Sequence, residues 1–135
     1  MAVILLVEDD DYFRRVVHLV LQRAGYEVHE ACNGEEALRR FAQLRVDLVV
    51  TDLVMPEKEG IETITELRKR NPAVPIIAMS GGGTIGANLY LQIASRLGAK
   101  RVLAKPFQNA ELLEAVQSVL MEGMNKAGPA NPSPA

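Results

Sequence analysis

Residues 2–11 have the sequence AVILLVEDDD, an unbroken apolar run that ends in one glutamate and three aspartates. The apolar part is shorter than a typical helix and contains Val and Ile, so it predicts a β-strand. Because apolar and polar residues do not alternate within it, we expect both faces of this strand to be buried, as in a parallel sheet. Residues 48–51 (LVVT) and 75–79 (PIIAM) have the same character, and residues 27–31 and 101–104 are weaker runs of similar length.

Segments with apolar residues at helical spacing lie between and after these runs. The first of them has a clear end, because Gly25 follows it and glycine is a favourable C-terminal cap. The predicted helices are residues 11–24, 34–44, 60–70, 85–97 and 108–121. Five strands alternating with five helices predict an α/β fold of the flavodoxin-like, doubly wound type, a five-stranded parallel sheet with strand order 2-1-3-4-5 and helices on both faces.

The composition excludes several classes of protein. A chain of 135 residues with 48% hydrophobic residues suits one domain with its own core. The formal net charge of −2 argues against direct nucleic-acid binding and against an anionic membrane surface, since both need a basic excess. Cys32 is the single cysteine, so no internal disulfide can form. The first apolar run has acidic rather than basic flanks, unlike a signal peptide, and we expect a cytoplasmic protein without a membrane segment.

The end of the chain has a different composition. From residue 127 the sequence is AGPANPSPA, which is rich in proline and alanine and has no apolar periodicity. Such a segment cannot bury enough apolar surface to fold by itself. We therefore predict a folded domain at residues 1–122, a monomer or weak homodimer, followed by a disordered tail at residues 123–135.

Polar residues follow the predicted strands at the points where the strands end. The carboxyl ends of parallel strands lie at one edge of the sheet, and ligands bind there in the crevice between strands 1 and 3. The residues that should meet in this crevice are Glu8, Asp9, Asp10, Asp52, Ser80 and Lys105. Grouped carboxylates repel one another, and Mg²⁺, which prefers oxygen ligands, relieves that repulsion. A lysine and a hydroxyl beside one carboxylate are groups that phosphoryl transfer uses to neutralise charge.

Four segments of the chain, ILLVEDD, VVTDLVMPEKEG, IIAMSG and LAKPF, resemble the signature segments of response-regulator receiver domains in two-component signalling. The resemblance extends to about residue 121. It implies that Asp52 is the phosphoacceptor and that Ser80 and Lys105 contact the phosphoryl group. It also implies a cis peptide bond between Lys105 and Pro106, since only X–Pro bonds adopt the cis form at modest cost.

The resemblance further implies a magnesium site. Its ligands would be Glu8, Asp9, Asp52 and the backbone carbonyl of Val54. Asp10 has two possible roles at this point, as a metal ligand or as the N-cap of the first helix. The two histidines, His18 and His29, lie away from the predicted crevice, and we assign neither a role in phosphoryl transfer.

A receiver domain implies particular partners. The phosphoryl donor would be a histidine kinase or a histidine phosphotransfer protein, and the output would be contact with a downstream protein. No effector segment follows, so we expect a stand-alone signalling phosphoacceptor rather than an enzyme. Two alternatives remain open: a phosphate-independent docking module, and an Asp-nucleophile phosphohydrolase. The second is disfavoured because such enzymes need another aspartate two residues after the nucleophile, where this chain has Val54.

The chain departs from the family pattern at two places. Val102 stands where the family usually has an aromatic residue that turns inward on activation. The glycine run 81–83 lies directly after Ser80, in a segment that is longer than usual. Glycine opens backbone conformations that other residues avoid. We therefore expect the conformational change to pass through this loop rather than through residue 102.

Overall fold

The computed structural model describes residues 1–53, 59–81, 92 and 95–130, which form a parallel sheet with helices on both faces. Its elements, in chain order, are β1 (Val3–Val7), α1 (Asp11–Arg23), β2 (Glu27–Ala31), α2 (Gly34–Gln43), β3 (Leu48–Asp52), α3 (Glu59–Arg70), β4 (Ile76–Gly81), β5 (Arg101–Lys105) and α4 (Asn109–Ala130). The five strands are all parallel and have the order β2-β1-β3-β4-β5. The predicted fold class, a flavodoxin-like doubly wound sheet, is therefore confirmed.

Alternate residues of β1 face two separate hydrophobic cores. Ile4 and Leu6 pack with residues of α1 and α4 on one side of the sheet. Leu5 and Val7 pack with residues of α2 and α3 on the other side. All four side chains are fully buried, and each such burial is worth about 1.5–3 kcal/mol. This two-sided burial is the physical reason for the unbroken apolar run in the sequence.

Side-chain caps fix two helix starts close to the strand ends. Asp10 accepts a hydrogen bond from the backbone N–H of Phe13 at 3.0 Å and so begins α1. Asn33 accepts from the backbone N–H of Glu36 at 2.8 Å, and Glu36 accepts from the backbone N–H of Cys32 at 2.7 Å. The first bond satisfies an N–H of the first turn of α2 that has no partner within the helix, and the second ties the residue before the cap to the same turn.

The last helix differs from the prediction. α4 runs to Ala130, beyond the predicted end at residue 121, so the part of the expected disordered tail at residues 123–130 is helical. Residues 121–127 (MEGMNKA) contain several strong helix formers, which extend a helix that its buried part has already nucleated. Even α4, at 22 residues, lacks the apolar length to cross a membrane, as does every other helix in the described part of the chain.

Two other predictions fall partly or wholly outside the described residues. Of the predicted helix at residues 85–97, residues 92 and 95–97 are described; 92, 95 and 96 are helical, and 97 lies in a turn. The end of the predicted tail, residues 131–135, lies outside the described part. The predicted end of the domain at residue 122 therefore stays a prediction.

Candidate functional site

Three carboxylates meet beyond the ends of β1 and β3. Glu8 and Asp9 follow β1 directly, and Asp52 is the last residue of the neighbouring strand β3. One carboxylate oxygen from each of the three lies within 4.8 Å of the other two. Glu8 and Asp52 are only 1% and 3% exposed, whereas Asp9 is open to solvent. The site therefore has a buried acidic floor and one acidic side chain at its mouth.

Lys105, the last residue of β5, brings an ammonium group between the two buried carboxylates. Its Nζ donates a hydrogen bond to Glu8 Oε1 at 2.7 Å and another to Asp52 Oδ2 at 3.0 Å. The Lys105–Pro106 bond that follows is cis, as the resemblance implied. Residues from the ends of three strands thus meet where the strand order reverses, between β1 and β3.

Burial and neighbouring charges shift the pKa values of Glu8 and Lys105. Burial raises the pKa of Glu8 to about 7, and the nearby Asp52 carboxylate adds to the effect, although the Lys105 ammonium and the Asp10 N–H oppose it. Burial disfavours the charge on Lys105, but its bonds to Glu8 and Asp52 outweigh this and raise the pKa of Lys105. Among the described residues, three carboxylates and one ammonium meet here, and such a set of oxygen donors fits a small, hard cation such as Mg²⁺.

Ser80 lies on the next strand at the level of the site. Asp52 pairs with Met79 in the β3–β4 register, so Ser80 is one residue nearer to the edge of the sheet. The serine is 4% exposed. Ser80 therefore lies at the same edge of the sheet as Asp52, and its contact with a phosphoryl group stays a prediction.

The predicted roles of Asp10 and Val54 as metal ligands have different outcomes. Asp10 caps α1, and the group of three carboxylates consists of Glu8, Asp9 and Asp52. Val54 lies outside the described residues, and so does most of the glycine run, Gly82 and Gly83. The proposed carbonyl ligand and the proposed mobile loop therefore stay predictions.

The position that is usually aromatic has a core role in this chain. Val102 is half-buried and packs against the hydrophobic core on the α2–α3 side of the sheet. The two histidines form local pairs instead of entering the site. His18 Nδ1 is hydrogen-bonded to Glu30 Oε2, and His29 Nε2 lies 2.7 Å from Glu27 Oε2 on β2.

The sequence analysis missed Arg14, which stabilises the backbone of the site at Glu8. Its guanidinium donates to the backbone carbonyl of Glu8 at 2.8 Å, to Glu30 Oε1 at 2.9 Å and to Asp11 Oδ1 at 2.7 Å. Arg14 therefore holds the main chain of a site residue while its own charge is balanced. Two arginines stand together in the sequence, and only the orientation of α1 shows that Arg14 rather than Arg15 is the inward one.

The sequence analysis also missed an aromatic pair beside Lys105. The ring centroid of Phe13, on the first turn of α1, lies 4.4 Å from Lys105 Nζ. Phe107 contacts Phe13 edge to face, with centroids 5.7 Å apart and planes at 76°. Phe13 has the spacing of a core residue in α1, so its sequence pattern alone indicates packing and not a contact with the site.

Known proteins provide an independent test of these features. A family model described as the response regulator receiver domain matches residues 4–117. The chain belongs to the response regulator receiver family. This receiver is 37% identical over 117 residues to the chemotaxis protein CheY of Thermotoga maritima, across 86% of this chain and 95% of that protein. It is therefore a receiver domain of two-component signalling.

Solved structures agree with this assignment. The receiver superposes on the chemotaxis protein CheY4 of Vibrio cholerae with a TM-score of 0.81 and 34% identity, across 88% of this chain and 98% of that one. It also matches the response regulator TrrA of Thermotoga maritima, solved in complex with Mg²⁺ and BeF, with a TM-score of 0.77 and 34% identity, across 88% and 99%. Receiver domains bind Mg²⁺ at an acidic pocket, and the group of Glu8, Asp9 and Asp52 is compatible with such a pocket.

Proposed function

We propose that this receiver is a phosphoryl-accepting switch in which Asp52 is phosphorylated, in a Mg²⁺-dependent reaction, by a histidine kinase or a histidine phosphotransfer protein. The observation that supports the proposal best is the setting of Asp52. Its carboxylate is buried at a strand end, lies 3.0 Å from the Lys105 ammonium and is grouped with two further carboxylates. A carboxylate with one cation beside it and two further carboxylates that could hold another suits an attacking group in phosphoryl transfer.

In the proposed step, a carboxylate oxygen of Asp52 attacks the phosphorus atom of a phosphohistidine on the donor protein. An O–P bond forms, the N–P bond of the donor breaks, and the electron pair stays on the imidazole nitrogen. Lys105 already donates to Asp52, and the same ammonium can turn to an oxygen of the arriving group as a charge-assisted hydrogen bond. The Ser80 hydroxyl would donate to a second oxygen from the side of β4.

The remaining acidic residues have a separate task. Glu8, Asp9 and Asp52, with the backbone carbonyl of Val54, are the groups that would hold Mg²⁺, which when bound neutralises charge on the phosphoryl oxygens. Glu8 is kept in place by contacts besides Lys105, since its Oε2 accepts a hydrogen bond from the Asp10 backbone N–H at 3.1 Å. Its backbone N–H donates to the Ala31 carbonyl at 3.0 Å, and its own carbonyl accepts from Arg14.

The signal then leaves by protein contact. We propose that residues 1–122 form the receiver domain, as a monomer or weak homodimer, and that its phosphorylated form binds a downstream protein. With a formal net charge of −2, the chain has no basic excess that would favour direct contact with nucleic acid.

Transfer of radiolabelled phosphate from a panel of purified, autophosphorylated histidine kinases tests the proposal. Label should move to this receiver in the presence of Mg²⁺ and not in the presence of a chelator, and Asp52→Asn should abolish the transfer. Asp47→Asn is the matched control, since Asp47 lies at the opposite end of the sheet, where it accepts from the Val3 backbone N–H at 2.8 Å.

Other outcomes would identify the alternatives. A parent protein that takes no label from any kinase or from acetyl phosphate would be a phosphate-independent docking module. A protein that releases phosphate catalytically from small phosphate esters would be a phosphohydrolase. Label that survives Asp52→Asn would contradict the proposed acceptor.

A further inference from the structure

Within the described residues, the ammonium group of Lys105 contacts two carboxylates and one group that is not a carboxylate. Besides its bonds to Glu8 and Asp52, Nζ lies 4.4 Å from the ring centroid of Phe13. The face of an aromatic ring is electrically negative and attracts a cation at this range. Phe13 thus acts on the same charge that the proposed phosphoryl transfer uses.

Phe13 is itself held from two sides. Its backbone N–H donates to the Asp10 cap at 3.0 Å, which fixes the first turn of α1. The edge-to-face contact with Phe107 fixes the plane of the Phe13 ring, with the ring centroids 5.7 Å apart and the ring planes at 76°. Phe107 follows Lys105 by two residues, so the aromatic contact joins α1 to the segment that carries the lysine. The ring is therefore placed by structure around it and is not free to follow Lys105.

We propose that Phe13 is a positioning residue for phosphoryl transfer, whose ring face holds the Lys105 ammonium over the crevice through a cation–π contact. The inference rests on the proposed role of Asp52. Without the ring, a lysine side chain with four rotatable bonds can turn toward solvent or pair with Glu8 alone. With it, the ammonium stays near the place where negative charge arrives on the acceptor. A contact of this kind at a half-buried site corresponds to about a 3- to 30-fold effect on rate.

A series of fluorinated phenylalanines separates this role from simple packing. Mono-, di- and trifluoro-phenylalanine at position 13 progressively remove negative charge from the ring face while keeping its shape close to that of phenylalanine. The rate of phosphorylation of the full chain by acetyl phosphate with Mg²⁺ should fall stepwise along the series, by about 3- to 30-fold in total. The same series at Phe41, which packs against the other hydrophobic core, should leave the rate unchanged.

A spectroscopic measurement on the metal-free, unphosphorylated protein tests the contact itself. Protons next to the Lys105 ammonium should be shifted upfield by the ring current of Phe13. In Phe13→Leu they should return toward ordinary lysine values, and Phe13→Trp, which restores a strong ring face, should shift them upfield again. Thermal unfolding of each variant shows whether stability has changed.

A flat rate across the fluorinated series, with the parent protein normally labelled, would overturn the positioning role and leave the function of Asp52 intact. Lysine resonances that do not respond to Phe13→Leu would overturn it as well. A parent protein that takes no label on Asp52 would instead overturn the proposed function, and the role of Phe13 with it.

Discussion

Asp9 and Asp10 are adjacent in the sequence, but their carboxylates have different neighbours. The Asp9 carboxylate lies with those of Glu8 and Asp52, whereas the Asp10 carboxylate accepts a hydrogen bond from the Phe13 backbone N–H and caps α1. We expect Asp9→Asn to weaken Mg²⁺ binding roughly tenfold or more, because it removes a charged ligand. Asp10→Asn should leave affinity nearly unchanged, since asparagine also caps helices well. Magnesium titrations followed by calorimetry give both affinities.

Asp10→Ala completes the comparison at this position. It removes the cap and should lower the free energy of unfolding by about 1 kcal/mol, measured by chemical denaturation, with little effect on Mg²⁺ affinity. A larger loss of affinity in Asp10→Asn than in Asp9→Asn would move the metal-binding pair one residue along the chain.

The surroundings of Lys105 show how far a sequence can predict a site. That Lys105 and Asp52 would share a crevice follows from topology, because parallel strands end at one edge of the sheet. The second bond, from Lys105 to Glu8, and the contact with Phe13 do not follow from topology. They depend on rotamers and on how α1 packs against the sheet, which periodicity leaves undetermined.

At the scale of elements, α1 and β2 are joined by a charged cluster around Glu30. Arg14 donates to Glu30 Oε1 at 2.9 Å, Arg15 lies 3.9 Å from Oε2, and His18 is bonded to the same oxygen. Burial favours the protonated form of Glu30, but the hydrogen bonds and charges of Arg14 and His18 outweigh it and lower the pKa of Glu30. A carboxyl with a lowered folded-state pKa stabilises the fold above its unfolded-state pKa and loses that contribution as the pH falls through its folded-state value.

Glu30→Gln should therefore destabilise the protein near neutral pH by about 1–3 kcal/mol. The difference from the parent should shrink as the pH falls below the ordinary carboxyl value of 4.5, where the parent also loses its charge. Chemical denaturation of both proteins across this pH range measures the difference in the free energy of unfolding. The control is Glu62→Gln, because Glu62 is exposed on α3. A difference that stays constant with pH would contradict a charge-based role for Glu30.

The outer face of α1 has a row of exposed apolar side chains. Tyr12, Val16 and Leu19 are 82%, 36% and 41% exposed and lie on one face of the helix, at i, i+4 and i+7. This spacing suits docking of a partner helix next to the crevice. We expect Tyr12→Ser with Leu19→Ser to slow transfer from a histidine kinase roughly fivefold or more and to leave phosphorylation by acetyl phosphate unchanged.

Gln22→Ser, an exposed change on the same helix, is the control for this pair. Equal slowing with both donors would mean that α1 acts on the site and not on docking. No slowing with either donor would show that the kinase binds elsewhere.

The elements also show what sequence patterns can and cannot fix. The strand at residues 3–7 was predictable because burial on both faces leaves an unbroken apolar run, and Asn33 was predictable as a cap because its neighbours are favourable in a first turn. The end of α4 was not predictable from composition. Proline and glycine near residue 129 indicated disorder, whereas α4 runs through both to Ala130 as the continuation of a helix whose first half is buried.

At the scale of the whole molecule, the described side chains of α4 contribute to one core, and their burial ends near residue 119. The last fully buried side chain described in α4 is Val119, and Met121 is 53% exposed. Removing residues 123–135 should change the free energy of unfolding by less than about 0.5 kcal/mol and leave phosphorylation intact. Removing residues 116–135 should destabilise the fold by several kcal/mol, because Val116 and Val119 are lost from the core. Comparable destabilisation by both truncations, measured by thermal unfolding, would show that the unit extends past residue 122.

The strand order of the whole molecule is what gives Asp52 its setting, between the acidic end of β1 and the lysine at the end of β5. The most direct test of that setting is chemical trapping of the phosphorylated residue. Borohydride reduces an aspartyl phosphate to homoserine, and peptide mass spectrometry then locates the change. After reaction with acetyl phosphate and Mg²⁺, homoserine should replace aspartate at position 52 alone. Homoserine at Asp9 or Asp10, or at no position in a protein shown to be labelled, would contradict Asp52 as the acceptor.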